Sequence, residues 1–264
     1  GAAQVVEHLG YVQIDTIAVI ERAHDHIIWT RQPDFSSEML GALLATNRRV
    51  FEYWTHAAAY VPFADYRYYL PRMESAHNWR REALFRQENP RLVKEVYERI
   101  RREGAMASAD FDYGDAKRGT WWDWKPAKRA LEVLFCTGEL MVSARRRFQR
   151  VYDLPERIVP DHIDTRMPER DEAARHFARR ALATLGVASL KQVQKLYANH
   201  GAGTALAELV DAGEVSAVKI AGRATTYYAL TATLEQIPRR QKNHLHLLSP
   251  FDNLTIDRSR LAEL

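Results

Sequence analysis

The sequence predicts an α+β fold, mainly helical, built from repeated helix–strand–strand units, with the start of a β-rich part over residues 236–264. Three observations predict it. Apolar residues recur at helical spacing through most of the chain. Several helical stretches stop at a glycine and lead into two short runs rich in β-branched and aromatic residues. The order helix, glycine, strand, turn, strand then recurs along the chain.

The elements follow in order. Gly10 stops the helix that precedes it, and GYVQIDTI reads as extended. PDFSSEMLGALLAT carries an Asp/Ser helix start and apolar Met39, Leu40, Leu43 and Leu44. RRVFEYWTHAAAYVP reads as the strand pair after it. Residues 91–102 form an amphipathic helix between Pro90 and Gly104. Residues 110–120 are polar and contain glycine, so they read as a loop. KPAKRALEVLFCT is a helix with Pro126 in its first turn, ended by Gly138. ELMVSARRRFQRVYDL supplies two strands around the turn at Arg145, Arg146 and Arg147. Helices are expected at 171–184, at 190–198 with Ser189 as N-cap, and at 204–212 before Gly213. EVSAVKI and TTYYAL close that unit as a hairpin. GAGTA, 201–205, lacks the Lys-Ser/Thr ending of a phosphate loop and reads as a loop between helices.

Three helices and a hairpin are the ingredients of a winged helix, a tandem helix-turn-helix architecture whose wing touches phosphates. The expected segments are 1–70, a first unit lacking its opening helix; 71–160, a second; 161–235, a third; and 236–264, the β-rich start. Such units bind nucleic acid or protein.

Composition bounds the class. The chain has 264 residues, enough for two or three units of roughly 70–130 residues. Its 46% hydrophobic content supports a core and argues against wholesale disorder. No apolar run approaches the ~20 residues that cross a bilayer. A lone cysteine, Cys136, excludes a disulfide framework and a Cys-based zinc site, and fits a reducing cytosol. A start at Gly1 without Met and an end within a charged amphipathic stretch read as an internal piece of a longer protein. The net charge of +4 is modest, but arginines cluster: Arg80-Arg81, Arg101-Arg102, Arg145 to Arg147, Arg179-Arg180 and Arg239-Arg240. Arg145, Arg146, Arg147 and Arg150 are the expected phosphate contacts, with Lys125 and Lys128 on the neighbouring helix start; solvated helix faces are the alternative.

GYVQIDTI carries the chemistry. In a strand, Val12 and Ile14 face one way and Tyr11, Gln13 and Asp15 the other. A helix would set Gln13 and Asp15 about 200° apart. A carboxylate can act as general base or stabilise a developing cation. An amide can hold a water without titrating. Together they suit hydrolysis through an oxocarbenium-like sugar. The alternative is that both cap a helix or satisfy buried backbone groups.

These residues also resemble a known family. GYVQIDTI, ERAHDHIIWTR, FEYWTHAAAYVP, DYRYYLPRM, GTWWDWKPAKRALEVLFCTGELMV, YDLPERIVP and LLSPFDNL, in this order, are similar to the winged-helix DNA glycosylases of AlkZ/YcaQ type, which unhook interstrand crosslinks. The resemblance spans nearly the whole chain. In that family a Gln-apolar-Gln or Gln-apolar-Asp motif carries catalysis, and Gln13-Ile14-Asp15 matches the Asp, YcaQ-like branch. It implies Asp15 as principal catalytic group and Gln13 as its water-positioning partner. It implies hydrolysis of the N-glycosidic bond of N7-alkylguanine in double-stranded DNA, by a monofunctional glycosylase that leaves an abasic site. No metal or organic cofactor is implied. A monomer in the bacterial cytoplasm is expected. Since a crosslinked base is tied to both strands, an open, basic cleft suits the substrate better than a deep flipping pocket. The rival is a winged-helix transcription regulator without catalysis.

Other residues carry weaker signals. Trp54 and His56 either line the lesion site, with His56 bonding Asp15, or belong to a packed wing. Trp121, Trp122 and Trp124 either stack on bases or dock domains. His24 and His26 form a weak metal motif without a second pair. His162 and Asp164 read as linker between Pro160 and Pro168, and His244 and His246 as the solvent face of a strand.

Overall fold

A computed structural model describes residues 1–18, 20–111, 124–236 and 245–263. About half of the chain is helical, and the strands form small sheets. In order, the elements are α1 (Ala2–Leu9), β1 (Val12–Gln13), α2 (Ala23–Trp29), α3 (Ser37–Ala45), β2 (Val50–Trp54), β3 (Ala58–Pro62), α4 (Tyr66–Ala76), α5 (Arg80–Glu88), α6 (Pro90–Glu103) and β4 (Met106–Ala107). There follow α7 (Trp124–Cys136), β5 (Met141–Arg146), β6 (Gln149–Asp153), α8 (Pro155–Ile158), α9 (Arg170–Leu185), β7 (Val187–Ser189), α10 (Leu190–Tyr197), α11 (Ala202–Asp211), β8 (Val215–Lys219), β9 (Thr226–Leu230), α12 (Thr231–Glu235) and α13 (Arg258–Leu261). Among the described residues no helix is long and apolar enough to cross a membrane.

Two compact units emerge. The first comprises Gly1–Ser37, Trp54–Pro62 and Pro168–Leu264, and the second Glu38–Tyr53 and Phe63–Met167. They interleave along the chain instead of following the consecutive segments expected from sequence. The cause is the antiparallel pairing of β1 with β3, which draws Trp54–Pro62 out of the second unit's stretch of sequence.

In the first unit, α1 ends at Gly10, whose φ of 73° lies in the left-handed region. A Cβ there would lie 1.9 Å from the Tyr197 hydroxyl oxygen, so only glycine fits. The chain then enters β1, where Val12 pairs with Tyr60 and Gln13 with Ala59. One further bond, from the Ile14 N–H to the Ala58 carbonyl at 2.7 Å, extends the ladder. Tyr11 and Val12 are fully buried. On α9, Ala174, Ala178, Ala181, Leu182 and Leu185 form a buried stripe at helical spacing, and α10 and α11 pack against this helix. Ser189 begins α10 with its N–H donated to Gln192 Oε1 at 3.0 Å. Strands β7, β9 and β8 follow as an antiparallel sheet. Helix α11 opens at Ala202, so GAGTA is a helix start rather than the expected loop: its small residues let the first turn pack closely, with Ala202 and Ala205 buried.

Residues 245–263 correct another expectation. They contain turns and α13, and no strand among the described residues; His246 lies outside any strand, and His244 outside the described residues. Their polar side chains clasp other elements instead of joining a ladder. Asn253 Nδ2 donates to the carbonyls of Leu9 at 2.7 Å and Tyr11 at 2.9 Å. The fully buried Asp252 receives two bonds from the Arg31 guanidinium, at 2.6 and 3.0 Å. Arg260 donates to the carbonyls of Leu185 and Val187.

In the second unit, Val93, Val96 and Ile100 form the buried face of α6, and Gly104 ends it at φ 94°. The buried side chains of α7 include Ala130, Leu131, Leu134 and Phe135. Phe51 meets Tyr66 and Tyr69 edge-on and Phe63 at a tilt of 43°, and the Tyr53 hydroxyl donates to the Cys136 carbonyl at 2.5 Å. β4, β6 and β5 form an antiparallel sheet. Within the expected 110–120 loop, Asp110 and Phe111 belong to a 3₁₀ turn, and the rest lies outside the described residues.

Gly10→Ala should destabilise the protein by about 2–4 kcal/mol, combining left-handed strain with overpacking against Tyr197. Urea unfolding checks this, and a loss below about 0.5 kcal/mol would contradict the close approach.

Candidate active site

The site is built on the exit from β1. Gln13 and Asp15 are half-exposed there, between buried Val12 and Ile14 and the exposed Thr16. Tyr11 and Gln13 share a face, as period-two alternation requires, because both touch His56. The Tyr11 hydroxyl lies 3.2 Å from His56 Nδ1, and His56 Nε2 lies 2.8 Å from Gln13 Oε1. Since an amide oxygen only accepts, Nε2 carries the imidazole proton and Nδ1 accepts from the phenol. Burial pushes the Tyr11 phenol well above the ordinary tyrosine range, with Tyr197 and Asp252 adding to the effect, so it remains a donor.

Asp15 lies just past the last ladder bond. Its backbone N–H donates to His24 Nδ1 at 3.1 Å, and its Oδ1 accepts the Ile17 N–H at 3.0 Å. One oxygen therefore serves the local backbone. The other, Oδ2, has no hydrogen-bond donor among the described residues. Arg22 holds the turn through the Thr16 carbonyl at 2.8 Å and the Asp15 carbonyl at 3.4 Å. His24, on α2, is buried, and its Nε2 lies 3.7 Å from Asp25 Oδ2. The expected bond from His56 to Asp15 is not made, because the ladder register sets Gln13 beside His56. Trp54 lies half-buried at the end of β2. His56 and Tyr11 also border a cavity of about 270 Å³ with Leu185, Leu196 and Ile256; its lining includes neither Gln13 nor Asp15.

The arginines of the β5–β6 hairpin separate into two groups. Glu52 is buried at 1% exposure and accepts two bonds from Arg145, both at 2.9 Å, and one from Arg150 Nε. Arg145 also stacks on Phe148 and Arg150 on Phe135. These guanidiniums neutralise a buried carboxylate, which leaves them poorly placed for the phosphate contacts expected of them. Arg146 is exposed and pairs with Asp110 at 3.2 Å. Arg147 is exposed at the tip, and no ion pair holds it among the described residues. Arg147 and Phe148 are the two turn residues, with φ of 47° and 70°. That is the backbone of a tight hairpin turn which usually takes Asn or Gly, held here by bulky residues at a cost in strain. Lys128 is exposed on α7, and the side chain of Lys125 lies outside the described residues, as do Trp121 and Trp122.

The sequence reading missed Tyr11 and His24 as supports. Tyr11 falls in the same alternation as Gln13, so that signal was present. Nothing in the spacing tied His24 to Asp15.

A small mixed fold with a glutamine and a carboxylate at an open strand end meets its relatives here. The family described as DNA glycosylase AlkZ-like matches residues 6–264, and the chain belongs to that family. Membership makes it a DNA-repair glycosylase, with the DNA binding this requires, and gives no support to the regulator alternative. Among solved structures it is similar to the Streptomyces sahachiroi DNA glycosylase AlkZ, with a TM-score of 0.64 and 20% identity, over 96% of this chain and 70% of that one. At that identity the likeness concerns the fold.

Glu52→Ala should cost about 3–5 kcal/mol in urea unfolding, since it leaves two half-buried guanidiniums without their carboxylate. Arg146→Ala, which removes an exposed pair, should cost under about 1 kcal/mol. Equal losses would show that the two pairs are not energetically distinct.

Proposed function

We propose that the protein hydrolyses the N-glycosidic bond of N7-alkylguanine in double-stranded DNA and unhooks N7-linked interstrand crosslinks. The observation that carries this is the half-exposed Gln13-Ile14-Asp15 stretch, with one Asp15 oxygen free to take a proton. Alkylation at N7 leaves the purine cationic, so the base departs without a strong acid. Asp15 stabilises the sugar cation as the C1′–N9 bond breaks and takes the proton of the attacking water. Gln13 holds that water. The bonding electrons return to the purine and neutralise it. Water is the nucleophile, so the enzyme is monofunctional and needs neither metal nor organic cofactor. The half-exposure of the pair suits a lesion tied to both strands.

DNA is held, in this reading, by winged-helix units, of which α9–α11 with the β8–β9 hairpin is one. At the β5–β6 wing, Arg147 makes the principal phosphate contact, aided by Arg146 and by Lys125 and Lys128 on α7. The protein acts as a monomer in the bacterial cytoplasm.

Duplex DNA carrying N7-methylguanine or a nitrogen-mustard crosslink tests the chemistry. The protein should produce alkali-sensitive abasic sites, Asp15→Asn should lose roughly 100-fold or more in rate, and borohydride should trap no covalent complex. Base release unaffected by Asp15→Asn would remove the carboxylate from the mechanism.

Arg147→Gly separates binding from stability. Glycine relaxes the left-handed turn, so thermal stability should hold or rise. DNA affinity should fall, and the slope of log K against log salt should shrink by about one ion. An unchanged salt slope would move the phosphate contact elsewhere.

A further inference from the structure

We propose that His56, steered by Tyr11, is a positioning residue that locks the Gln13 amide with its carbonyl inward and its NH₂ group toward the attacking water. This rests on the glycosylase reading and deepens it by giving direction to the hydrogen bonds of that site. A half-exposed glutamine amide can turn through 180°, exchanging a donor face for an acceptor face. Here the donors run one way. The Tyr11 hydroxyl, on a fully buried ring, meets His56 Nδ1 at 3.2 Å. Its backbone is fixed as well, because Asn253 holds the Tyr11 carbonyl at 2.9 Å. A phenol that donates to Nδ1 leaves the imidazole proton on Nε2. That proton meets Gln13 Oε1 at 2.8 Å, so the amide oxygen is occupied, and both amide N–H groups have no acceptor among the described residues.

The orientation matters for the chemistry. A water whose oxygen accepts from Gln13 keeps both protons free. One reaches Asp15 Oδ2 as the water oxygen bonds to C1′, while the C1′–N9 electron pair leaves with the purine. With the amide reversed, its carbonyl would accept a water proton and compete with Asp15. His56 and Tyr11 therefore act through Gln13 and need not touch the substrate.

A double-mutant cycle in single-turnover excision of N7-methylguanine tests this. His56→Ala should slow excision roughly tenfold to hundredfold with DNA affinity unchanged. The same substitution in a Gln13→Ala background should change the rate by less than about twofold, since the amide it positions is gone. His56→Gln, which returns an N–H near the position of Nε2, should recover most of the rate. The ¹⁵N signals of His56 should show Nε2 protonated and Nδ1 bare, and Tyr11→Phe should mix the tautomers. Additive losses in the cycle, or a proton on Nδ1 in the unmodified protein, would overturn the proposal. If the unmodified protein releases no base at all, the glycosylase reading fails instead. The tautomer then decides only the orientation of the Gln13 amide: a proton on Nε2 upholds it and a proton on Nδ1 overturns it.

Discussion

Antiparallel pairing of β1 with β3 is the constraint from which the candidate site follows. Only two residues of β1 lie in the strand, yet their register sets Gln13 opposite Ala59 and so brings His56 to the Gln13 amide. A slip of one residue would turn Gln13 into the core and Val12 toward His56. The register is held from both ends. Gly10 turns the chain sharply into the strand, and Asn253 bonds the carbonyls of Leu9 and Tyr11 on its way. Beyond Ile14 no ladder bond remains, and the Asp15 carboxylate turns the chain through its own bond to the Ile17 N–H. The motif thus sits where regular structure stops. Its polar side chains are anchored through their backbone yet half-exposed.

Buried charge organises the second unit in a different way. Glu52 lies on a strand among aromatic residues, where an unpaired carboxylate would be prohibitive. Two arginines of the hairpin satisfy it, and both stack on phenylalanine rings. The same sequence cluster, Arg145 to Arg150, therefore divides its labour. Two guanidiniums hold the hairpin, while Arg146 and Arg147 face solvent. The strained turn at Arg147 and Phe148 persists because the flanking strands are fixed by that ion-pair network.

Two imidazoles bracket the motif. His24 accepts the Asp15 N–H through Nδ1, and His56 reaches Gln13 through Nε2. Each must be neutral or correctly tautomeric to do so, so each turns a general hydrogen-bonding side chain into a directional one. Such supports explain how a short, half-exposed strand end holds its amide and carboxylate in place.

Much of this protein was legible in its sequence because the governing signals are local. Gly104, Gly138 and Gly213 end helices where left-handed backbone is required, Ser189 starts one, and the apolar stripe of α9 announces its buried face. Period-two alternation placed Gln13 and Tyr11 together, and the order of motifs resembled the family to which the chain belongs. Tertiary structure decided what depends on residues distant in sequence. The partner of His56 was set by strand register, and the role of Arg145 and Arg150 by a carboxylate about 95 residues away. The segment after residue 244 became a polar clasp rather than a strand because Asp252, Asn253 and Arg260 found partners near residues 9, 31 and 187. A local pattern specifies which groups a chain carries and which way a strand face points. Which charge neutralises which, and which imidazole meets which amide, is settled only when long-range pairing buries them together.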